Sequence, residues 1–222
     1  GFLNPRNISQ TFSAFRYKDY RLLWLGQLGS GFAQQGEMLT RSWLVYELTG
    51  SGAMLAIAHA TRMLGTLIVT PLGGVLTDRV DRRIILILAN AANAASFAGI
   101  GILVLLEWAS PWHVILSAVI AGGAMSLQMT ASQAVIPSLV PRDGMMNAMS
   151  LHAMTMGIDR VAGPLLAGFL IATVGVEGAY FAATSALLLP VFLYWFIRPL
   201  KIASESSNDS YLKSFTEGVK FA

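Results

Sequence analysis

Ionisable side chains inside apolar segments are the residues of this chain best suited to do chemistry. Along residues 22–46, polar and charged residues recur every three or four positions, which places them on one face of a helix: Gln27, Ser30, Gln34, Glu37 and Arg41. An ionised carboxylate inside a bilayer costs several kcal/mol unless it is paired or hydrated. The stripe therefore predicts either a structural Glu37–Arg41 pair or a water-lined cavity where Gln27, Gln34 and Arg41 meet a substrate.

A second group of ionisable residues lies on two other apolar segments. Arg62 lies on the second segment, and Asp159 and Arg160 lie on the fifth. Buried ionisable groups in membrane segments are functional candidates by default. Two interpretations stay open. Either Asp159 carries a proton, with Glu37, Arg62 and Arg160 as further coupling candidates, or it only neutralises Arg62 or Arg160.

Polar residues on the fourth and fifth apolar segments add to the candidate cavity. Ser126 and Gln133 share one helical face of the fourth segment, and His152 lies on the fifth, so all three are candidate substrate contacts. Most of the methionines lie between Met125 and Met156. Flexible thioethers suit a surface that accommodates varied ligands, although core filling explains these residues equally well.

The sequence lacks the motifs of several other chemistries. It has no cysteine, so thiolate metal sites are excluded, and we expect neither a metal nor a cofactor. No phosphate-binding Gly-x-x-x-x-Gly-Lys-Ser/Thr loop occurs. An intramembrane protease would need a serine motif to match its histidines, and no Gly-x-Ser-Gly is present. We therefore expect no enzyme; the alternatives to transport are a non-transporting membrane scaffold and, less favoured, such a protease.

Composition identifies the elements that must position these side chains. The 222 residues are 55% hydrophobic and 12% charged, with a mean hydropathy of +0.59, which is typical of polytopic membrane proteins. About 20 apolar residues cross a bilayer, and six segments meet that length: 22–46, 53–76, 84–106, 112–136, 146–174 and 179–197. The sequence therefore predicts an all-α membrane protein with six transmembrane helices.

The distribution of charge predicts the orientation of these helices. Basic residues outside the spans lie in the N-terminal arm, the second and fourth connectors and the tail, whereas the other connectors hold Glu47, Glu107 and Glu177 and no base. By the positive-inside rule, both termini are cytoplasmic. The net charge of +3 comes from these loops, so we expect a lipid bilayer and no nucleic acid as partner. The predicted domains are a cytoplasmic amphipathic arm at 1–21, a six-span lobe at 22–198 and a cytoplasmic linker at 199–222.

Two motifs carry a resemblance to a known family. The loop between the second and third spans resembles the signature loop of the major facilitator superfamily and reads Gly74-x-Leu76-Thr77-Asp78-Arg79-x-Asp81-Arg82-Arg83. The fifth span contains Gly163-Pro164-x-x-Ala167-Gly168, which looks like the antiporter signature of exporters in that superfamily. Taken alone, Gly163, Pro164 and Gly168 indicate a bent or closely packed helix.

The resemblance implies one lobe of a twelve-span transporter, built as a 3+3 helix repeat, with a second six-helix lobe from the same chain or from a second copy. It implies that Gly74, Asp78, Arg79, Arg82 and Arg83 form a cytoplasmic gating loop that latches the two lobes. The pattern is similar to that of proton-coupled drug and siderophore exporters. It therefore implies an antiporter of the bacterial inner membrane that expels a small lipophilic or amphiphilic substrate by alternating access, with protons as the coupled ion.

Overall fold

The computed structural model describes residues 13–199, apart from the side chains of residues 13, 78, 142 and 143. In that part of the chain, a short 3-10 helix, Ser13–Arg16, precedes five long helices, and there is no strand. The helices are α1 Lys18–Thr49, α2 Gly52–Arg79, α3 Arg82–Leu105, α4 Pro111–Leu139 and α5 Arg142–Trp195. The all-α prediction is confirmed. Most of the predicted arm at 1–21 and linker at 199–222 lies outside the described residues.

Turn and capping residues set the boundaries of the first three helices. α1 ends at Gly50, whose φ of 59° lies in the left-handed region that glycine adopts without strain. The Ser51 side chain then caps α2 by accepting a hydrogen bond from the Met54 backbone N–H at 3.4 Å. Asp81 caps α3 in the same way, because its carboxylate accepts from the Arg83 backbone N–H at 2.9 Å. Short polar turns therefore separate the apolar segments near the predicted boundaries.

α5 covers both the fifth and the sixth predicted spans. A straight helix of its 54 residues would be about 80 Å long at 1.5 Å per residue, whereas the hydrocarbon core of a bilayer is about 30 Å thick. Gly175 interrupts this helix with φ 80° and ψ 176°, which is not a helical conformation. α5 thus consists of two helical segments, 142–174 and 176–195, joined by a single non-helical residue.

Four described stretches are long and apolar enough to cross a membrane: Gly52–Thr77, Arg82–Leu105, Pro111–Leu139 and Gly144–Trp195. α1 is long enough for a span, but its polar stripe makes it less apolar than these four. The chain is therefore an integral membrane protein by length and composition. Six crossings and cytoplasmic termini stay predictions.

Glycines allow the helices to pack closely. α1 packs mainly on α5 and α2 mainly on α4, while α3 packs on both α4 and α5. A Cβ added to Gly122 would lie 2.0 Å from the backbone oxygen of Arg62, and one added to Gly163 would lie 2.7 Å from Cβ of Gln35. No larger residue fits at these two helix contacts without movement of the backbone.

Two apolar clusters hold the bundle together, and polar residues lie between them. One cluster includes Tyr20 and Leu86, and the other includes Phe97 and Tyr180. The Tyr20 hydroxyl donates to the backbone oxygen of Ala148 at 2.9 Å. Burial raises the pKa of Tyr20 to about 12, so this hydroxyl stays a neutral donor at physiological pH.

α2 and α5 expose broad apolar faces. On α2, Met63, Leu67 and Ile68 are 68%, 67% and 64% exposed, and on α5 Val161 and Leu165 are each 72% exposed. Contiguous apolar surface of this kind marks contact with a membrane or with another protein. These two faces therefore require lipid or a second protein surface.

Candidate functional site

A cavity of about 150 Å³ lies between α1, α2, α4 and α5. Six predicted site residues line it: Gln27, Gln34, Arg62, His152, Asp159 and Arg160. Three methionines, Met125, Met129 and Met156, contribute apolar surface to the same wall. The cavity therefore offers charged groups, amides and thioethers together, a combination that fits an amphiphilic ligand.

A buried cluster of three charges lies next to the cavity. Glu37 forms an ion pair with Arg41 one turn along α1, and its second oxygen lies 3.3 Å from Nη1 of Arg62 on α2. The Glu37 side chain is fully buried, and those of Arg41 and Arg62 are 3% and 12% exposed. Arg62 also donates to the sulfur of Met125 at 3.5 Å. The structural interpretation of the Glu37–Arg41 pair is thus realised, with Arg62 as an additional partner from the next helix.

Asp159 lies in a different environment from Glu37. Its side chain packs against Gly31 of α1 so closely that a Cβ on Gly31 would lie 1.8 Å from Asp159 Oδ2. The residue is 5% exposed, and Oδ1 has no hydrogen-bond partner among the described residues. Within the described part of the chain, neither Arg62 nor Arg160 forms an ion pair with it. Asp159 is therefore a nearly buried carboxyl at the cavity wall without a cationic partner in this conformation.

Hydrogen-bonded amides form the rest of the polar wall. Gln27 Oε1 lies 2.9 Å from Nδ1 of His152, which links α1 to α5. Gln34 donates to Gln128 Oε1 across the α1–α4 contact. Gln128 in turn donates to Asn90 Oδ1 of α3 at 3.1 Å. Two predicted residues, Gln27 and Gln34, are therefore each tied to a side chain on another helix.

Sequence reasoning missed three polar residues that line the cavity, Gln35, Gln128 and Ser132, and also Asn90, which is hydrogen-bonded to Gln128 behind the wall. We expect the inward face of α4 to carry Ser126 and Gln133, but Gln128 lines the cavity and Gln133 is exposed outside it. Ser126 forms a 2.8 Å hydrogen bond with Thr70 of α2 and is likewise not a lining residue. Asn90 could have been found from the sequence, because it is an amide in an otherwise apolar segment. Burying such a group costs free energy unless it is hydrogen-bonded.

The predicted packing motif on α5 lies against α1. Gly163 meets Gln35 and Gly36, with its added Cβ only 3.1 Å from the Gly36 backbone nitrogen. Pro164 is inside the helix, and Gly168 has looser surroundings, with Leu39 3.8 Å from its added Cβ. Close contact is thus concentrated at Gly163, beside the cavity wall.

The signature loop is bound to its own bundle through two arginines. Arg82 Nη1 donates to the backbone oxygen of Ala134 near the end of α4 at 2.7 Å. Arg83 Nη1 donates to the backbone oxygen of Ile197 at 2.6 Å, and its guanidinium lies 5.4 Å from the centre of the Trp195 ring. Arg82 therefore binds within the last two turns of α4 and Arg83 binds just beyond the end of α5, where a cation interacts favourably with the helix dipole. Gly74 and Arg79 are exposed, and the side chain of Asp78 is outside the described atoms.

The acidic connectors meet at another part of the bundle. Glu47, Glu107 and Glu177 line one cavity of about 480 Å³. Glu47 lies in the last turn of α1, Glu107 follows the end of α3, and Glu177 adjoins the break in α5. The basic loop residues and these acidic residues therefore lie in separate regions, as the charge pattern of the sequence predicts.

Comparison with known proteins agrees with this architecture. The model of the family described as transmembrane secretion effector, which belongs to the major facilitator superfamily, matches residues 9–222. The chain is 30% identical over 201 residues to the enterobactin exporter EntS of Shigella boydii serotype 4, a match that covers 89% of this chain and 45% of the relative. It is 31% identical over 195 residues to the enterobactin exporter EntS of Citrobacter koseri, covering 86% of this chain and 44% of the relative.

These matches have two consequences. The chain spans about half the length of the curated relatives it matches. The family model covers nearly the whole chain, and this family consists of membrane transporters rather than enzymes. The chain belongs to the transmembrane secretion effector family of the major facilitator superfamily.

Proposed function

We propose that this chain forms one six-span lobe of an alternating-access exporter that expels small amphiphilic compounds in exchange for protons. The observation that carries the proposal is Asp159, a nearly buried carboxyl on the cavity wall with no cationic partner among the described residues. Such a group can bind and release a proton as its surroundings change, and the same cavity is open to a ligand.

The proton carrier is Asp159 rather than Glu37. Two arginines form stabilising ion pairs with the Glu37 carboxylate. Asp159 lacks such stabilisation, and its contact with Gly31 links it to α1, which carries much of the polar wall. Arg62 and Arg160 line the same cavity, but neither forms an ion pair with this carboxyl among the described residues.

The substrate is a small molecule with both polar and apolar parts. Gln27, Gln34 and His152 supply hydrogen-bonding groups, while Met129 and Met156 supply adaptable apolar contacts. The relatives are named for the export of enterobactin, and a siderophore-like compound is one candidate of this class.

A second lobe completes the transporter. The exposed apolar faces of α2 and α5 flank the polar cavity, which would otherwise face lipid. The greater length of the relatives supports a second lobe from the same polypeptide, and pairing with a second copy is the alternative. Substrate then binds between the lobes.

The gating loop has a divided role in this proposal. Arg82 and Arg83 hold the ends of α4 and α5 in their own lobe, which leaves Asp78 and Arg79 to contact the second lobe. This loop lies at the cytoplasmic side of the inner membrane, with both ends of the lobe on that side and six crossings between them. Separation of the basic and acidic connectors supports this orientation.

Proteoliposomes containing the full-length protein test the proposal. A pH gradient should drive efflux of a lipophilic fluorescent dye, and Asp159→Asn should reduce this efflux about a hundredfold or more, the lower end of the range for loss of a positioned proton-transfer group. Exchange of labelled for unlabelled dye without a gradient should persist in this variant, because binding and the conformational change remain. Glu47→Gln, at the acidic connector, is the matched control and should transport normally. Normal pH-driven efflux in Asp159→Asn would refute the proton role.

A further inference from the structure

A chain of four polar side chains runs from the core of the bundle to the cavity. Asn90 on α3 is completely buried, and its Nδ2 donates to the backbone oxygen of Leu86 at 2.7 Å. Its Oδ1 accepts from Gln128 Nε2 at 3.1 Å and from the Ser30 hydroxyl at 2.9 Å. Gln128 Oε1 then accepts from Gln34 Nε2 at the cavity wall. Three amides are thus joined head to tail.

The direction of this chain is fixed at its buried end. A backbone carbonyl can only accept hydrogen bonds, so Leu86 requires the NH2 group of Asn90 and turns the Asn90 oxygen towards Gln128. Gln128 must therefore present its NH2 group to Asn90 and its oxygen to Gln34. Gln34 must in turn donate to Gln128. The hydroxyl of Ser30 can rotate and imposes no direction of its own.

The fixed direction has a consequence at the cavity. Gln34 turns its NH2 group towards Gln128 and binds it through one N–H, and its carbonyl oxygen, which has no partner among the described residues, is left as an acceptor for a ligand. Reversal of one amide would place two oxygens or two NH2 groups in contact, which costs free energy in a buried site. The atom that Gln34 offers to the cavity is therefore decided on α3, by a residue outside the cavity lining.

We propose that Asn90 is a positioning residue which, through Gln128, holds the oxygen of Gln34 towards the cavity and so favours ligands that donate a hydrogen bond there. This inference rests on the proposed function for the meaning of the cavity, but the hydrogen-bond chain itself can be tested without transport. Ligands with a hydroxyl or N–H group at this point should bind better than analogues in which that group is alkylated.

The first test measures the direction of the chain. In Gln34→Glu, a carboxylate without donors would face the oxygen of Gln128, so the purified full-length protein should unfold at a lower temperature. In the double variant with Asn90→Leu, Gln128 is free to turn its NH2 group towards the new carboxylate. If the two substitutions acted independently, the Tm shift of the double variant would equal the sum of the two single shifts. We expect its Tm to lie about 2–4 °C above that additive value, which is the effect of about one hydrogen bond. Additive shifts would overturn the proposal.

The second test measures ligand preference. The probes are umbelliferone, a fluorescent phenol, and herniarin, its methyl ether, bound to the full-length protein in nanodiscs at mildly acidic pH. The unmodified protein should bind the phenol about five- to tenfold more tightly, the ratio that one hydrogen bond supplies. Asn90→Leu should bind both probes within about twofold of each other, and Asn90→Asp should retain the preference because it keeps an acceptor for Gln128. Asn90→Ala replaces the leucine variant if that variant does not fold.

Asn93 provides the matched control. It lies on the same helix and is equally buried, yet both polar atoms of its side chain lack partners among the described residues. Asn93→Leu should leave the preference for the phenol unchanged. Equal binding of the two probes by the unmodified protein, binding of neither probe, or loss of the preference in Asn93→Leu would overturn the proposal. Loss of pH-driven efflux with an intact phenol preference would instead refute the proposed function and leave the role of Asn90 standing.

Discussion

Replacing Glu37 by glutamine is the most direct test of the buried charge cluster. The substitution keeps the size of the side chain but removes the carboxylate that binds Arg41 and Arg62. Arg41 is 3% exposed and Arg62 12% exposed, so neither guanidinium can recover full hydration in the folded lobe. Two like charges would then lie near each other with no anion between them.

The expected loss of stability follows from the geometry. At an effective dielectric constant of about 20, opposite charges 3.3 Å apart attract each other by about 5 kcal/mol before desolvation is counted. Removing one partner of a buried pair costs about 3–5 kcal/mol, because the remaining charge is left uncompensated. At about 2–4 °C per kcal/mol for a chain of this size, we expect Tm to fall by about 6–20 °C.

Thermal unfolding of the full-length protein in detergent measures this effect. Glu47→Gln, an exposed position, is the control and should change Tm by less than about 2 °C. Combining Glu37→Gln with Arg41→Gln should cost less than the sum of the two single substitutions, because the unpaired cation is removed as well. A Tm for Glu37→Gln equal to that of the control would refute our account of the cluster.

Three further substitutions test contacts elsewhere in the lobe. Gly31→Ala would place a Cβ 1.8 Å from Asp159 Oδ2, so we expect pH-driven efflux to fall at least about tenfold. The control is Gly157→Ala, whose added Cβ has no atom within 4 Å, and it should transport normally in the same assay. Gly122→Ala would force a Cβ against the backbone of α2, and thermal unfolding should show a loss of stability of at least about 1–3 kcal/mol. Its control is Gly99→Ala, which has open space at the added Cβ and should leave stability unchanged or slightly raised. Arg83→Ala should cost about 1–3 kcal/mol in chemical unfolding, because the backbone oxygen of the buried Ile197, just after α5, loses a charged hydrogen bond. An unchanged midpoint would contradict that assignment.

Local patterns in the sequence predict much of this fold. Apolar segments of sufficient length predict the helices, and a spacing of four residues predicts the pair formed by Glu37 and Arg41. The partnership of Glu37 with Arg62 could not be predicted in the same way, because it depends on how two separate helices pack. In the sequence, the break at Gly175 was visible only as a short connector with Glu177 and no basic residue, and the structure reduces it to one non-helical residue.

The inward face of α4 shows where a pattern carries too little information. This helix is apolar around most of its circumference, so hydropathy does not indicate which face meets the other helices. Spacing alone favours Ser126 and Gln133, but the close contact of Gly122 with α2 fixes the rotation of α4 and brings Gln128 into the cavity. Rotation about a helix axis is a tertiary property, which is why spacing along the sequence did not place Gln128 on this cavity wall.

The shared orientation of the three amides limits how this wall can diverge among related proteins. A single exchange at Gln34 or Gln128 leaves mismatched partners behind it, so a new preference at that point requires several coordinated substitutions. Met129 and Met156 line the same cavity and form no side-chain hydrogen bond among the described residues, so no partner has to change with them. We therefore expect substitutions that change ligand preference among related proteins to occur first at the two methionine positions. The three amide positions should change rarely and together.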